Sequence, residues 1–316
     1  MQTDSIAARL PQIGIIIPAC NEEECIGQVL DELLAVLDPE KFVIAVGVND
    51  SSDRTAAVAR ERPVVVAETA QRGYGFGCQR AIDHLSSLFP SVRAYLFCAG
   101  DGASDPADVV RIAAACDQGY NFVLGTRTTR FANWRAMTFP HILANFGLGI
   151  WSGMLGGRWF TDLGPLRLID RDLFERIAPR EMTFGWTIEA QIAAAKCGAE
   201  ICEIPVRERL RLGGRQKVSG VSWRRTLAIG CQIVAAGFRT WMNYRSHAEP
   251  AALVFEERSS FAEPLVTSCG IFQAKPAIPG NPVVETSSDS SQNQFTAPAR
   301  PNLLTLGAGS RNGWML

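Results

Sequence analysis

The chain has 316 residues, 47% of them hydrophobic, and a formal net charge of -1. That apolar content is enough for a large core, and the near-neutral balance gives no general attraction to nucleic acid, so any basic patch has to be judged locally. Nine cysteines are scattered without a CxxC pair, and the three histidines form no ligand-like cluster with them, which argues for reduced thiols and against a zinc framework.

Residues 1–10 carry Asp4 and Arg9 and lack the basic and apolar regions of a signal peptide, so the expectation is a cytoplasmic protein. Residues 13–18 (IGIIIP) suit a buried strand. Asn21 and the three glutamates after it predict a helix start, with Glu24 in capping-box position. Val29, Leu33, Leu34 and Leu37 then mark the core face of that helix. A second strand over 42–48 ends in NDSSDRT (49–55), with Asp50 at the strand tip and Asp53 capping the next helix. A third strand over 64–67 precedes RGYGFG (72–77), whose spacing matches neither a dinucleotide fingerprint nor a phosphate loop. It reads as a flexible, close-approach loop leading into a helix over 78–88.

The stretch YLFCAGDGASDP (95–106) predicts strand, turn and helix, with Asp105 and Pro106 at the helix start. Asp101 then lies at the carboxyl end of a strand between two glycines. In an open α/β sheet that edge binds ligands, and the turn leaves room for a metal ion and a diphosphate. Another strand over 122–125 runs into a polar turn carrying Arg127 and Arg130, and the alternation of strands and helices predicts a mostly parallel sheet.

Residues 136–157 contain no charged side chain and are flanked by Arg135 and Arg158. Pro140, His141, Asn145 and several glycines dilute the apolar character, so the expectation is a helix lying on a bilayer or packed on the domain, not a span. TDLGPLRLIDR (161–171) reads as an acidic turn, a strand and a basic exit. Residues 185–198 read as a helix with Glu189 near its start and a glycine end, and residues 200–206 as an edge-like strand. The basic run of Arg207, Arg209, Arg211, Arg215 and Lys217 reads as a solvated rim. An apolar helix follows over 226–238, and 246–316 is rich in Ser, Pro, Asn and Gln without periodicity, which predicts a disordered tail.

In order and spacing, IIIPACNEEE, VNDSSDRT, RGYGFG, FCAGDGASDP, VLGTRTTR, TDLGPLRLIDRD, GWTIEAQIAAAKCGAEICEIPVRER and GGRQKVSG resemble the family 2 glycosyltransferases. The branch is the one similar to dolichyl-phosphate mannose and polyprenyl-phosphate glucose synthases, and the likeness runs from residue 12 to near 241. It implies an α/β protein with the GT-A fold, a mostly parallel central sheet flanked by helices. It also implies an enzyme that moves a hexose, with inversion, from a UDP- or GDP-sugar to an acceptor, for which a polyprenyl phosphate is favoured. The implied organisation is an N-terminal extension (1–11), a GT-A domain (12–245) with interfacial helices near 136–157 and 226–241, and the tail. Attachment would be peripheral, on the cytoplasmic membrane face, in glycolipid or cell-envelope synthesis.

By the same resemblance Pro18, Ala19, Asn21, Glu22, Asp50, Arg72 and Gly73 surround the nucleotide sugar, and Asp101 holds Mg²⁺ or Mn²⁺, which neutralises the leaving diphosphate. Relatives carry an Asp-x-Asp pair here. In this chain the first position is Ala99, which leaves one carboxylate for the metal. Arg127, Arg135, Arg167, Arg215 and Lys217 match positions that bind the acceptor phosphate. A phosphate acceptor needs positioning more than a base. For a hydroxyl acceptor the candidates are Glu189 and Asp162, with Asp162 the stronger of the two for metal-side structure. Two other readings stay open. A nucleotidyltransferase would want a glycine-rich, lysine-bearing loop where PACNEEE stands, and a catalytically silent sugar-nucleotide or glycan binder is suggested by Ala99.

Overall fold

The run IGIIIPA becomes β1 (Ile13–Ala19), buried on both faces because its side chains alternate between two layers of helices. The computed structural model describes residues 12–137, 139–213 and 223–246. The N-terminal extension, the tail and the pair Arg215 and Lys217 lie outside those residues.

In chain order the elements after β1 are α1 (Ile26–Val36), β2 (Phe42–Asn49), α2 (Thr55–Arg60), β3 (Val65–Thr69), α3 (Tyr74–Leu88), β4 (Ala94–Phe97), α4 (Pro106–Cys116) and β5 (Phe122–Thr126). A 3-10 helix (Phe131–Arg135) follows, then α5 (Phe139–Gly156), β6 (Arg167–Asp170), α6 (Arg171–Ile177), α7 (Trp186–Lys196), β7 (Ile201–Pro205) and α8 (Trp223–Ser246). The sheet order is β3-β2-β1-β4-β6-β5-β7. Strand β6 runs antiparallel to both neighbours and every other pairing is parallel, so the expected mostly parallel α/β sheet is what forms. Six strands therefore point their carboxyl ends at one edge, and the strand order turns between β1 and β4, where open sheets bind ligands.

Helices α1, α2 and α4 cover one face through Leu30, Leu33, Ala59, Val109 and Ile112, which meet Ile15 and Ile17. On the other face α3, α6 and α7 meet Ile16 and Phe97 through Leu85, Phe174 and Trp186. The Trp186 ring packs against Phe97 and Tyr74 at centroid distances of 4.7 and 5.4 Å. A further layer, α5 and α8, packs on α7 around Leu155, Ile188, Ile192 and Ala236. Thus the uncharged stretch at 136–157 does pack on the domain, and no helix among the described residues is long and apolar enough to cross a membrane.

Two local expectations are overturned. Helix α1 opens at Ile26, with Cys25 at its N-cap and no side-chain cap bond, so Glu24 is not in capping-box position. Asn21, at φ +54°, is drawn instead to the loop after β2, where its Oδ1 accepts from Ser52 N at 2.7 Å. RGYGFG is not a flexible loop either, since Tyr74 to Gly77 form the first turn of α3.

The close-approach reading of those glycines holds. A Cβ on Gly47 in β2 would lie 1.9 Å from the Gly77 carbonyl oxygen, and one on Gly77 would lie 2.9 Å from Asn49 Oδ1. Gly47→Ala is therefore expected to push α3 off the sheet and lower the unfolding free energy by about 1–3 kcal/mol. Urea denaturation checks this, and an unchanged midpoint would refute the tight contact.

Candidate active site

The carboxyl edge of β1, β2 and β3 gathers the residues expected around the nucleotide. Pro18 and Ala19 end β1. Asn21 N donates to Ser51 Oγ at 2.9 Å, and Glu22 N donates to Thr55 Oγ1 at 2.8 Å, so the segment after β1 is stitched to the loop after β2. Asp53 acts at the start of α2, where Oδ1 accepts from Thr55 N (3.0 Å) while Oδ2 accepts from Glu23 N (3.1 Å). Exposed Asp50, at φ +47°, pairs with Arg72 Nη1 at 3.5 Å and lines a cleft of about 370 Å³ together with Val48, Ser51, Glu68, Thr69 and Ala70. Gly73 caps α3 beside that cleft, and it packs so closely on Met182 O that a Cβ would come within 2.3 Å.

Asp101 sits in the turn after β4, where its Oδ1 accepts from Ala103 N at 3.1 Å and its Oδ2 pairs with Arg211 Nη1 at 3.3 Å. Arg211 also pairs with Glu22. Arg209, from the same run, pairs with Glu32 at 2.7 Å. Both arginines are half-buried, so this part of the basic run is not a solvated rim. The charges are spent inside the protein because the chain after β7 folds back over the turn after β4.

On the acceptor side the structure separates the candidates. Arg127, at the end of β5, is 5% exposed and grips Asp162, which is 0% exposed. Its Nε lies 2.9 Å from Oδ2 and its Nη2 3.0 Å from Oδ1, while the Arg127 and Leu163 amides also donate to the carboxylate at 2.8 and 2.7 Å. Burial works against the Arg127 charge, and Asp162 and Glu208 outweigh it, so the guanidinium pKa is raised. Asp162 has no lone pair facing an open site, and in this structure it holds a turn together. Arg167 is 0% exposed, with Nη1 on Thr187 O (2.8 Å) and Nη2 on Gly164 O. Burial pulls its pKa down to about 10, still charged at neutral pH. It cannot meet an acceptor phosphate from inside the core. Arg135 is exposed at the end of the 3-10 helix.

Glu189 lies in the first turn of α7, where Oε2 accepts from the Arg180 and Glu181 amides at 2.9 and 2.6 Å. Burial raises its pKa against the pull of those amides. The carboxylate fixes the loop whose Met182 carbonyl receives Gly75 N at 3.0 Å, so it supports the start of α3.

The sequence reading passed over Glu208. Because β7 runs parallel to β5 with Thr126 opposite Pro205, the residues just past β7 must arrive beside Arg127. Glu208 Oε1 lies 3.4 Å from Arg127 Nη1, its amide donates to Asn133 Oδ1 at 2.9 Å, and its side chain is 13% exposed. Burial pushes its carboxyl up to about 7, opposed by Arg127 and aided by the negative charge of Asp101. The useful signal was the strand register, which no local motif contains.

Whether these residues suit a divalent ion can be tested at the turn itself. Ala99 offers no ligand, Asp101 is already ion-paired, and no group of three metal-capable side chains exists among the described residues. As arranged here, they do not fit a preformed metal site.

The family model described as Glycosyl transferase family 2 matches residues 14–178. An uncharacterized glycosyltransferase of Mycobacterium tuberculosis is 27% identical over 211 residues, 66% of this chain and 90% of the relative. A dolichyl-phosphate hexose transferase of Haloferax volcanii is 27% identical over 204 residues, 64% of this chain and 84% of the relative. Among solved structures, glucosyl-3-phosphoglycerate synthase of Mycobacterium tuberculosis, in complex with Mn²⁺, UDP and phosphoglyceric acid, aligns with a TM-score of 0.55. That alignment spans 73% of this chain and 78% of that one at 17% identity, and it shows the GT-A fold. With the family match covering over half its length, the chain belongs to glycosyl transferase family 2 and is a glycosyltransferase.

Proposed function

We propose that residues 12–245 transfer a hexose from a UDP- or GDP-sugar to a polyprenyl phosphate at the cytoplasmic face of a membrane, by direct displacement with inversion. The observation that carries the acceptor is the outward face of α5. Phe139, Leu143, Phe146 and Met154 stand exposed along an 18-residue helix without a charge, and α8 exposes Leu227, Val234, Phe238 and Met242. A solvated helix normally turns such a stripe inward. The stripe adjoins the acceptor side, because Asn145 Oδ1 on α5 accepts from Arg127 Nη2 at 3.1 Å. The likeness to a dolichyl-phosphate hexose transferase supports the same acceptor class.

In this reading the donor lies along the cleft beside Asp50 and Arg72, its diphosphate toward Asp101, and Arg135, Arg215 and Lys217 receive the acceptor phosphate. That phosphate is already an anion, so alignment with the anomeric carbon replaces base catalysis. A second reading, transfer to a soluble hydroxyl, is favoured by Glu208, whose near-neutral carboxyl faces the same edge and is the right kind of group to take a proton.

Release of UDP or GDP from sugar nucleotides, with polyprenyl phosphate or with phosphoglycerate, separates the two. Release that depends on the lipid phosphate supports the proposal, and release only with the soluble acceptor overturns it. The double variant Leu143→Glu, Phe146→Glu is expected to bind anionic vesicles at least about tenfold more weakly, since each buried apolar side chain contributes on the order of 1.5–3 kcal/mol. Equal co-sedimentation of variant and wild type would remove α5 from the membrane surface.

A further inference from the structure

The segment after β7 is tied across the turn after β4. Arg209 N donates to Ala103 O at 2.8 Å and Leu212 N to Asp101 O at 3.1 Å. The Arg209 guanidinium donates to Gly102 O (3.2 Å) and Ser104 O (3.0 Å), and Ser104 pairs with Glu208 in an antiparallel bridge. Gly102, at φ +77°, lets Leu212 close over it, and a Cβ there would lie 2.4 Å from Leu212 Cδ1. These ties fix the backbone from which Arg211 reaches in, so its guanidinium is delivered by a built strap.

Arg211 stands between the ends of β1 and β4, where the strand order turns. Its Nη1 meets Asp101, its Nη2 meets Glu22, and its Nε donates to Gly213 O at 2.5 Å. A guanidinium has five N–H groups, which leaves two for a ligand. Arginine keeps its charge at any working pH, and its planar fork matches phosphate oxygens. At the position where a second carboxylate would make a chelating pair with Asp101, the chain has Ala99. Asp101 and Glu22 both pair with this one guanidinium, so a divalent cation that took the Arg211-facing oxygen of Asp101 would have to break that pair.

We propose that Arg211 holds the cation position at Asp101. Nucleoside diphosphate then binds without a divalent ion, through the free N–H groups of Arg211 and the Arg72 rim, and a divalent ion reaches Asp101 only by displacing Arg211. The inference rests on the donor edge assigned above.

Calorimetric titration of the full chain with UDP and with GDP, in EDTA and in Mg²⁺ or Mn²⁺, tests it. Wild type is expected to bind one of the two nucleotides with affinities that agree within about twofold in EDTA and in metal. Arg211→Gln should weaken binding in EDTA by about tenfold or more, the loss of one charge-assisted contact, and should recover with Mn²⁺. Ala99→Asp, which leaves the strap untouched, should create a Mn²⁺ site seen by electron paramagnetic resonance with Mn²⁺ alone, where wild type shows only free ion. Wild-type nucleotide binding that requires a metal overturns the proposal and leaves the donor edge standing. Failure of folded wild type to bind either nucleotide under any condition overturns both.

Discussion

Replacing Asp162 by alanine is expected to lower the unfolding free energy by about 3–5 kcal/mol, the cost of breaking a buried ion pair from one side. The carboxylate is fully buried and takes four N–H groups, two from the Arg127 side chain and one each from the Arg127 and Leu163 amides. Removing it strands a guanidinium that is itself 5% exposed, with Glu208 at 3.4 Å as its remaining carboxylate. The turn after β5 and the chain before β6 would lose their joint together. Denaturant unfolding of Asp162→Ala, Arg127→Met and the double variant measures this, and the double variant should recover part of the loss because the buried guanidinium is no longer stranded. The comparison also decides the role of Asp162. If Asp162→Asn keeps wild-type stability while turnover collapses, the carboxylate is chemical after all, and the structural assignment falls.

The donor edge is legible in the residues because a parallel sheet makes it so. Apolar runs such as IGIIIP and AYLF must end at the same side, and the polar residues that follow them, Asn21, Asp50 and Asp101, necessarily meet there. The acceptor side is less legible. Nothing in the short strand RLID marks its direction, and its antiparallel insertion between β4 and β5 draws Arg167 into the core at the sheet edge.

Asp162 and Arg127 show the same limit in another form, since an acidic turn and a basic turn 35 residues apart look like two functional groups until they neutralise each other. Arg209 and Arg211 look like a rim because, Gly213 apart, the carbonyls and carboxylates they satisfy lie more than a hundred positions earlier. Charge runs report composition. Their partners are a property of topology.

Glu208 carries the second large expectation, a stability that depends on pH through one carboxyl. Its pKa is about 7 in the fold against a reference of 4.5, so between those values the folded state holds a proton that the unfolded chain has already lost. Stability from this group is complete below pH 4.5 and is lost as pH rises to about 7, because stability falls with pH wherever the native state binds more protons. The full amplitude is about 3 kcal/mol at 1.36 kcal/mol per pKa unit. Subtracting the unfolding free energy of Glu208→Gln from that of wild type isolates it, since the raised carboxyls of Glu189 and Glu203 are common to both. A difference that stays flat across this range would mean that Arg127 holds Glu208 ionised throughout. The same variant divides the two acceptor readings. If a hydroxyl is the acceptor, wild-type turnover should climb as Glu208 ionises near pH 7, and Glu208→Gln should remove that limb. If a lipid phosphate is the acceptor, turnover in Glu208→Gln should keep the wild-type profile, because the nucleophile arrives without a proton to give up.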